Sequence, residues 1–132
     1  MKRILVVDDD PSTLDVIILL FEMEGFEVLG LKDCLDLYNS ISNFMPKIIL
    51  LDVVMGSVDG RDICREIKLS VHRNIPVLQM SVVNKFYKDP KKPLYADDYI
   101  EKPFDLDVMV SKVHTLMHNA QVNDITINTD QG

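Results

Sequence analysis

The sequence predicts a doubly wound α/β sandwich, a parallel sheet covered by helices on both faces. Three observations carry that prediction. Short apolar runs at Ile4 to Val7, Ile48 to Leu51 and Val77 to Met80 (the last broken only by Gln79) each end in polar residues. Continuous rather than alternating apolarity suits strands that are buried on both faces. The segments between these runs carry helical period, so strand and helix patterns alternate along the chain. With 132 residues, 47% of them hydrophobic, the chain is sized for one domain with a buried core.

Each element has its own signal. The first strand stops at Asp8-Asp9-Asp10. Asp10 is placed to cap a helix starting at Pro11, where a missing N–H costs nothing. Leu14, Ile17, Ile18 and Phe21 follow at i, i+3, i+4 and i+7, and Gly25 is a stop. Phe26 to Leu31 reads as the second strand. Asp33 is placed to cap a helix bearing Leu37, Tyr38, Ile41 and Phe44, and Pro46 ends that connection. The third strand closes on Asp52. Asp59-Gly60 marks a turn before a helix carrying Ile63, Cys64 and Ile67. Asn74-Ile75-Pro76 opens the fourth strand, which ends at Ser81. Tyr99-Ile100 is a short fifth strand running into Lys102-Pro103. Asp105 caps a last helix with Leu106, Met109, Val110, Val113 and Met117 on one stripe. Between Ser81 and Asp97 the pattern calls for a fourth helix, but Pro90 and Pro93 fall inside it. Proline in a helix interior costs roughly 3 kcal/mol, so this helix is expected to be shortened or irregular. Gln121 to Gly132 reads as a polar tail that frays.

Composition excludes several classes. Lys plus Arg number 14 and Asp plus Glu 21, a formal net charge of −7. That balance repels phosphate backbones, so no direct nucleic-acid binding is expected. Cys34 and Cys64 form no CxxC or finger spacing and read as packing thiols. His72, His114 and His118 have no carboxylate partner nearby in sequence and read as surface or packing residues. No apolar run approaches the roughly 20 residues needed to span a membrane. The apolar run after Met1-Lys2-Arg3 is too short for a signal peptide. A cytoplasmic protein without membrane contact is expected.

The polar residues that end the strands carry the chemistry. In open α/β sheets a site lies at the carboxyl ends of the strands, where the strand order switches. If the first and third strands are neighbours, Asp8, Asp9 and Asp52 converge. Close carboxylates repel unless a cation or protons intervene. A hard divalent cation with oxygen ligands resolves this, and Mg²⁺ is commonly held by one or two carboxylates and several waters. Lys102 adds a positive charge for an anionic group, and Ser81 adds a hydroxyl donor. The same acids argue against a bare nucleotide-phosphate loop after the first strand, which wants free backbone amides.

Five stretches together resemble the receiver domain of two-component response regulators. They are Ile4-Leu5-Val6-Val7-Asp8-Asp9-Asp10, Pro46 to Val53 ending Leu50-Leu51-Asp52-Val53, Asp59-Gly60, Ile75-Pro76-Val77 with Ser81, and Ala96 to Phe104 containing Lys102-Pro103. The resemblance covers residues 2 to about 119, giving a receiver domain at 1–119 and a tail at 120–132. It implies a flavodoxin-like strand order 2-1-3-4-5. It also implies that Asp52 is the phosphoacceptor, attacking a kinase phosphohistidine or a small phosphodonor. Asp9 and Asp52 would bind Mg²⁺ (or Mn²⁺) directly, with the Val54 backbone carbonyl, while Asp8 would act mainly through a metal-bound water. Lys102 would pair with a phosphoryl oxygen. Ser81 would hydrogen-bond the phosphoryl group, and Tyr99 would change rotamer with it. The Lys102-Pro103 bond would be cis. The implied partners are a sensor histidine kinase or phosphotransfer protein and an unknown downstream protein. The implied state is a monomer or a phosphorylation-dependent homodimer.

The chain also departs from the family pattern. Gly56 stands where receivers usually carry proline, and a more mobile loop is expected there. Val82 replaces a small residue at the doorway beside Ser81. Val54 and Val83 put apolar side chains where the family tunes hydrolysis, so slow loss of the phosphoryl group is expected. Beside the phosphoaccepting switch stands one main alternative, a receiver-fold docking module that works without phosphate. Any enzymatic activity would be limited to the chain's own phosphotransfer and dephosphorylation. A free-standing aspartyl phosphatase is disfavoured, because Val54 stands where such enzymes need a second Asp and the chain is too short for a cap domain.

Overall fold

The computed structural model describes residues 2–82 and 95–131, with side chains described as far as residue 122. The elements run β1 (Arg3–Val7), α1 (Pro11–Met23), β2 (Glu27–Leu31), α2 (Leu37–Phe44), β3 (Ile48–Asp52), β4 (Val54–Met55), β5 (Val58–Asp59), α3 (Gly60–Lys68), β6 (Val77–Val82), β7 (Asp98–Lys102) and α4 (Leu106–Gln131). Five strands form one sheet in the order β2-β1-β3-β6-β7, and every neighbouring pair is parallel. Counting only these five, the order is 2-1-3-4-5, the flavodoxin-like doubly wound sheet.

The unbroken apolar runs have the expected cause. Side chains alternate between faces along a strand, and both faces of this sheet are covered. Ile4, Val6, Ile48, Leu50, Leu78 and Met80 pack on one face against Ile17 and Phe21 of α1 and Met109 and Val113 of α4. Leu5, Val7, Ile49, Leu51 and Val77 pack on the other against Leu37 and Ile41 of α2 and Cys64 and Ile67 of α3. All five residues of β3 are buried. The Cys64 thiol lies in this second core, and burial pushes its pKa up to about 12.

Capping follows local chemistry. Asp10 caps α1, accepting from Ser12 N at 3.1 Å and from the Thr13 hydroxyl at 2.7 Å, with Pro11 in the first turn. Asp59 caps α3 and accepts from Arg61 N at 2.9 Å. Gly25 follows α1 with a φ of 90°, a value open to glycine without strain.

Three elements differ from the sequence expectation. The cap position of α2 is Asp36 rather than Asp33, whose carboxylate instead accepts from Leu35 N in a local turn. The last helix does not end before a polar tail but continues to Gln131. No proline or glycine lies between Leu106 and Gln131 to stop it. A small hairpin, β4–β5, lies between β3 and α3 where only a turn was expected. The expected irregular fourth helix, with Pro90 and Pro93, lies outside the described residues. Among the described residues no helix is long and apolar enough to cross a membrane.

Candidate functional site

The chain leaves β1 for β2 on one side and returns to β3 on the other, so the order switches between β1 and β3. The register places Val7 beside Leu51, and the residues that follow, Asp8 and Asp52, leave the sheet side by side. Asp8 is wholly buried and Asp52 is 5% exposed. Carboxylate oxygens of Asp8, Asp9 and Asp52 all lie within 4.8 Å of one another. Lys102, the last residue of β7, reaches across this group. Its Nζ lies 2.8 Å from Asp8 Oδ2 and 3.2 Å from Asp52 Oδ2.

Backbone amides hold the carboxylates in place. Asp10 N donates to Asp8 Oδ1 at 2.9 Å, and Val54 N donates to Asp52 Oδ1 at 3.3 Å. Gly56 N donates to Asp9 Oδ2 at 3.1 Å. Gly56 takes a φ of 58° between Met55 and Val58, which pair across the hairpin. A two-residue turn with glycine first is the type II′ arrangement. The loop expected to be loosened by glycine is thus folded into a hairpin and tied to the acid cluster. Behind it, Gly60 N donates to Val53 O at 2.6 Å. A Cβ at Gly60 would overlap the Asp52 carbonyl oxygen, so the start of α3 can sit against the end of β3 only as glycine.

Electrostatics follow from this crowding. Burial, and then the neighbouring Asp8 charge, raise Asp52 to about 6, against the lowering pull of Lys102 and the Val54 amide. Burial alone would lower Lys102. The hydrogen bond and charge of Asp8, with those of Asp52, outweigh it and raise Lys102 above its ordinary value. Among the described residues one ammonium therefore stands against three carboxylates, which leaves an excess of negative charge.

Asp8, Asp9, Asp52 and Lys102 come together, and the Lys102-Pro103 bond is cis. Asp10 turns away to cap α1. Ser81 follows Met80, the register partner of Asp52, and is 1% exposed, with no hydrogen-bond partner for its Oγ among the described residues. Tyr99 lies back along β7, level with Gln79 and half-buried. The Val54 side chain points outward, 49% exposed. Val82, 47% exposed, lines a largely apolar groove of about 450 Å³ with Ser12, Thr13, Val16, Lys102 and Phe104. Two residues have structural roles that the sequence reading does not assign them, Gly56 in the hairpin turn and Asp97 at the start of β6. Gly56 gives no chemical signal, but Gly-Ser between valine-rich flanks is a two-residue hairpin turn. Asp97 Oδ2 accepts from Val77 N at 2.8 Å and from Lys68 Nζ at 2.6 Å, tying the start of β6 to α3.

An acid cluster with a lysine counter-charge, at the switch point of a five-stranded 2-1-3-4-5 sheet, defines the signal-receiver class. Residues 4–114 match the response regulator receiver domain, and the chain belongs to that family, whose members serve two-component systems. It is 32% identical over 119 residues to the DNA-binding dual master transcriptional regulator RpaA of Synechocystis sp., covering 89% of this chain and 49% of that protein. It is 30% identical over 114 residues to the DNA-binding response regulator MtrA of Mycolicibacterium smegmatis, covering 85% and 49%. The chain spans about half the length of these curated relatives. Among solved structures, a response regulator receiver from Bermanella marisrubri superposes with a TM-score of 0.75 at 32% identity, covering 86% of this chain and 96% of that one. A CheY-like receiver from Methanospirillum hungatei has a TM-score of 0.82 at 22% identity, covering 93% and 98%, a likeness of fold.

Proposed function

We propose that this receiver is a phosphoaccepting switch in which Asp52 takes a phosphoryl group from a histidine kinase or phosphotransfer protein. The reading rests on one observation, the three carboxylates within 4.8 Å of one another beside the Lys102 ammonium. That donor set, all oxygen and net negative, fits Mg²⁺ or Mn²⁺. Asp9 and Asp52 would hold the ion, with the Val54 carbonyl, and Asp8 would act through a bound water. The ion would neutralise charge on the acids and on the phosphoryl oxygens.

The chain's own groups account for the rest. The Asp52 carboxylate forms the new O–P bond as the P–N bond of the donor imidazole breaks, and the leaving nitrogen keeps the electron pair. Lys102 already touches Asp52, and it is placed to pair with a phosphoryl oxygen. The Ser81 hydroxyl, buried and without a partner among the described residues, is free to donate to another. This is catalysis by positioning and charge neutralisation. The phosphorylated state would then be read by a downstream protein.

The test is beryllofluoride or acetyl phosphate with Mg²⁺. Wild type should bind or become modified with Mg²⁺ present, and Asp52→Asn should not. If Asp52→Asn behaves like wild type, Asp52 is not the acceptor, and a partner that ignores both Mg²⁺ and this substitution would select the docking module.

A further inference from the structure

Gln79 has no part in this chemistry, yet it lies in the middle of β6 and is fully buried. Neither Oε1 nor Nε2 of its amide has a hydrogen-bond partner among the described residues. Folded proteins rarely leave both ends of a buried amide unpaired, because each carries its full desolvation penalty. A methionine of similar volume would carry none. Among the described residues nothing offsets this penalty, and a conformation that pairs the amide recovers it.

The register names the group that can do so. Val77, Gln79 and Ser81 share one face of β6, the face on which Val77 packs with Cys64 and Ile67. Register partners in a parallel sheet lie side by side, roughly 4.8 Å apart. On one side the neighbour of Gln79 is Leu51, which offers no polar atom. On the other it is Tyr99, whose hydroxyl can both donate and accept. Two residues along, Ser81 is the second buried side chain of that face with no partner for its polar atom among the described residues.

We propose that Gln79 is the inward hydrogen-bond partner of the Tyr99 hydroxyl in the phosphorylated state. The inference rests on the reading of Asp52 as acceptor. As Ser81 moves toward the phosphoryl group, space opens on this face, the Tyr99 ring turns in, and its O–H donates to Gln79 Oε1. Gln79 acts as a positioning residue, since it touches neither phosphate nor metal. It penalises the resting conformation and stabilises the switched one, which biases the equilibrium in one direction.

The experiment combines Gln79→Met and Tyr99→Phe in a double-mutant cycle, with Gln79→Leu as a second apolar variant. Without ligand, both apolar variants should unfold at higher urea than wild type. With Mg²⁺ and beryllofluoride, Gln79→Met and Tyr99→Phe should each weaken beryllofluoride binding about two- to tenfold, the range of one hydrogen bond. The double variant should be no weaker than either single variant. The Tyr99 ring signals in NMR should shift on beryllofluoride binding in wild type and shift less in Gln79→Met. Additive effects, or a resting state less stable in both apolar variants, would overturn the proposal while leaving Asp52 as acceptor. A wild type that ignores beryllofluoride would overturn both.

Discussion

The ammonium of Lys102 lies closer to Asp8, at 2.8 Å, than to Asp52, at 3.2 Å, although 94 residues separate it from Asp8. The lysine is therefore first a counter-ion for a wholly buried carboxylate, and only second a neighbour of Asp52. Lys102→Ala should leave both acids uncompensated. Losing one partner of a buried ion pair costs about 3–5 kcal/mol, and a loss near the lower figure is expected in urea unfolding at pH 7 without Mg²⁺. Saturating Mg²⁺ should restore part of it, because the ion replaces the missing charge.

Asp52 should make the stability of the metal-free protein fall as pH rises. An unfolded Asp titrates near 4, whereas burial and Asp8 raise folded Asp52 to about 6. Between those values the folded state binds more protons, so the contribution is full below about pH 4 and is lost as pH rises through 6. One pH unit of separation corresponds to about 1.4 kcal/mol, which bounds the effect at about 3 kcal/mol. Urea unfolding of wild type and Asp52→Asn across pH 4 to 7 checks this, and the substituted protein should lose that slope.

Gly60→Ala should displace Asp52 from behind. Its Cβ would collide with the Asp52 carbonyl, which belongs to the backbone and cannot swing aside. Overpacking of this kind costs about 1–3 kcal/mol. The substitution should lower the unfolding midpoint and also weaken Mg²⁺ binding by calorimetry, since Asp52 must shift.

Asp10→Ala should separate capping from metal binding. Asp10 accepts from the Thr13 hydroxyl and from Ser12 N, and these bonds, the Thr13 bond foremost, hold its carboxyl below its ordinary value. Loss of the cap should lower the thermal midpoint, while Mg²⁺ affinity should remain close to that of wild type.

Much of this architecture was legible in the sequence because both faces of the sheet are buried. Double burial makes β3 read as Ile48-Ile49-Leu50-Leu51, and the acid that follows such a run stands out. The Asp10-Pro11 cap was legible for a local reason, since caps are determined by neighbours in the chain, whereas Asp59, read only as part of a turn, caps α3. The β4–β5 hairpin was not, because two-residue strands leave no periodicity to detect. Asp33 and Asp36 both suit a cap, and only the packing of Leu37 and Ile41 decides where α2 begins. Gln79 read as a mere interruption of an apolar run. That its amide has no partner among the described residues depends on what lies on either side, Leu51 and Tyr99, which are distant in sequence.

The cluster of Asp8, Asp9, Asp52 and Lys102 draws its members from the ends of β1, β3 and β7, in that order along the chain. A ribosome therefore releases Asp8 and Asp52 well before Lys102, and the growing chain carries its repelling acids with no ammonium to balance them. The central strands can pair at that stage only against this repulsion, which a divalent ion in the surroundings would relieve. Closing the cluster is thus a late event in synthesis, because its balancing charge is the last of its members to leave the ribosome.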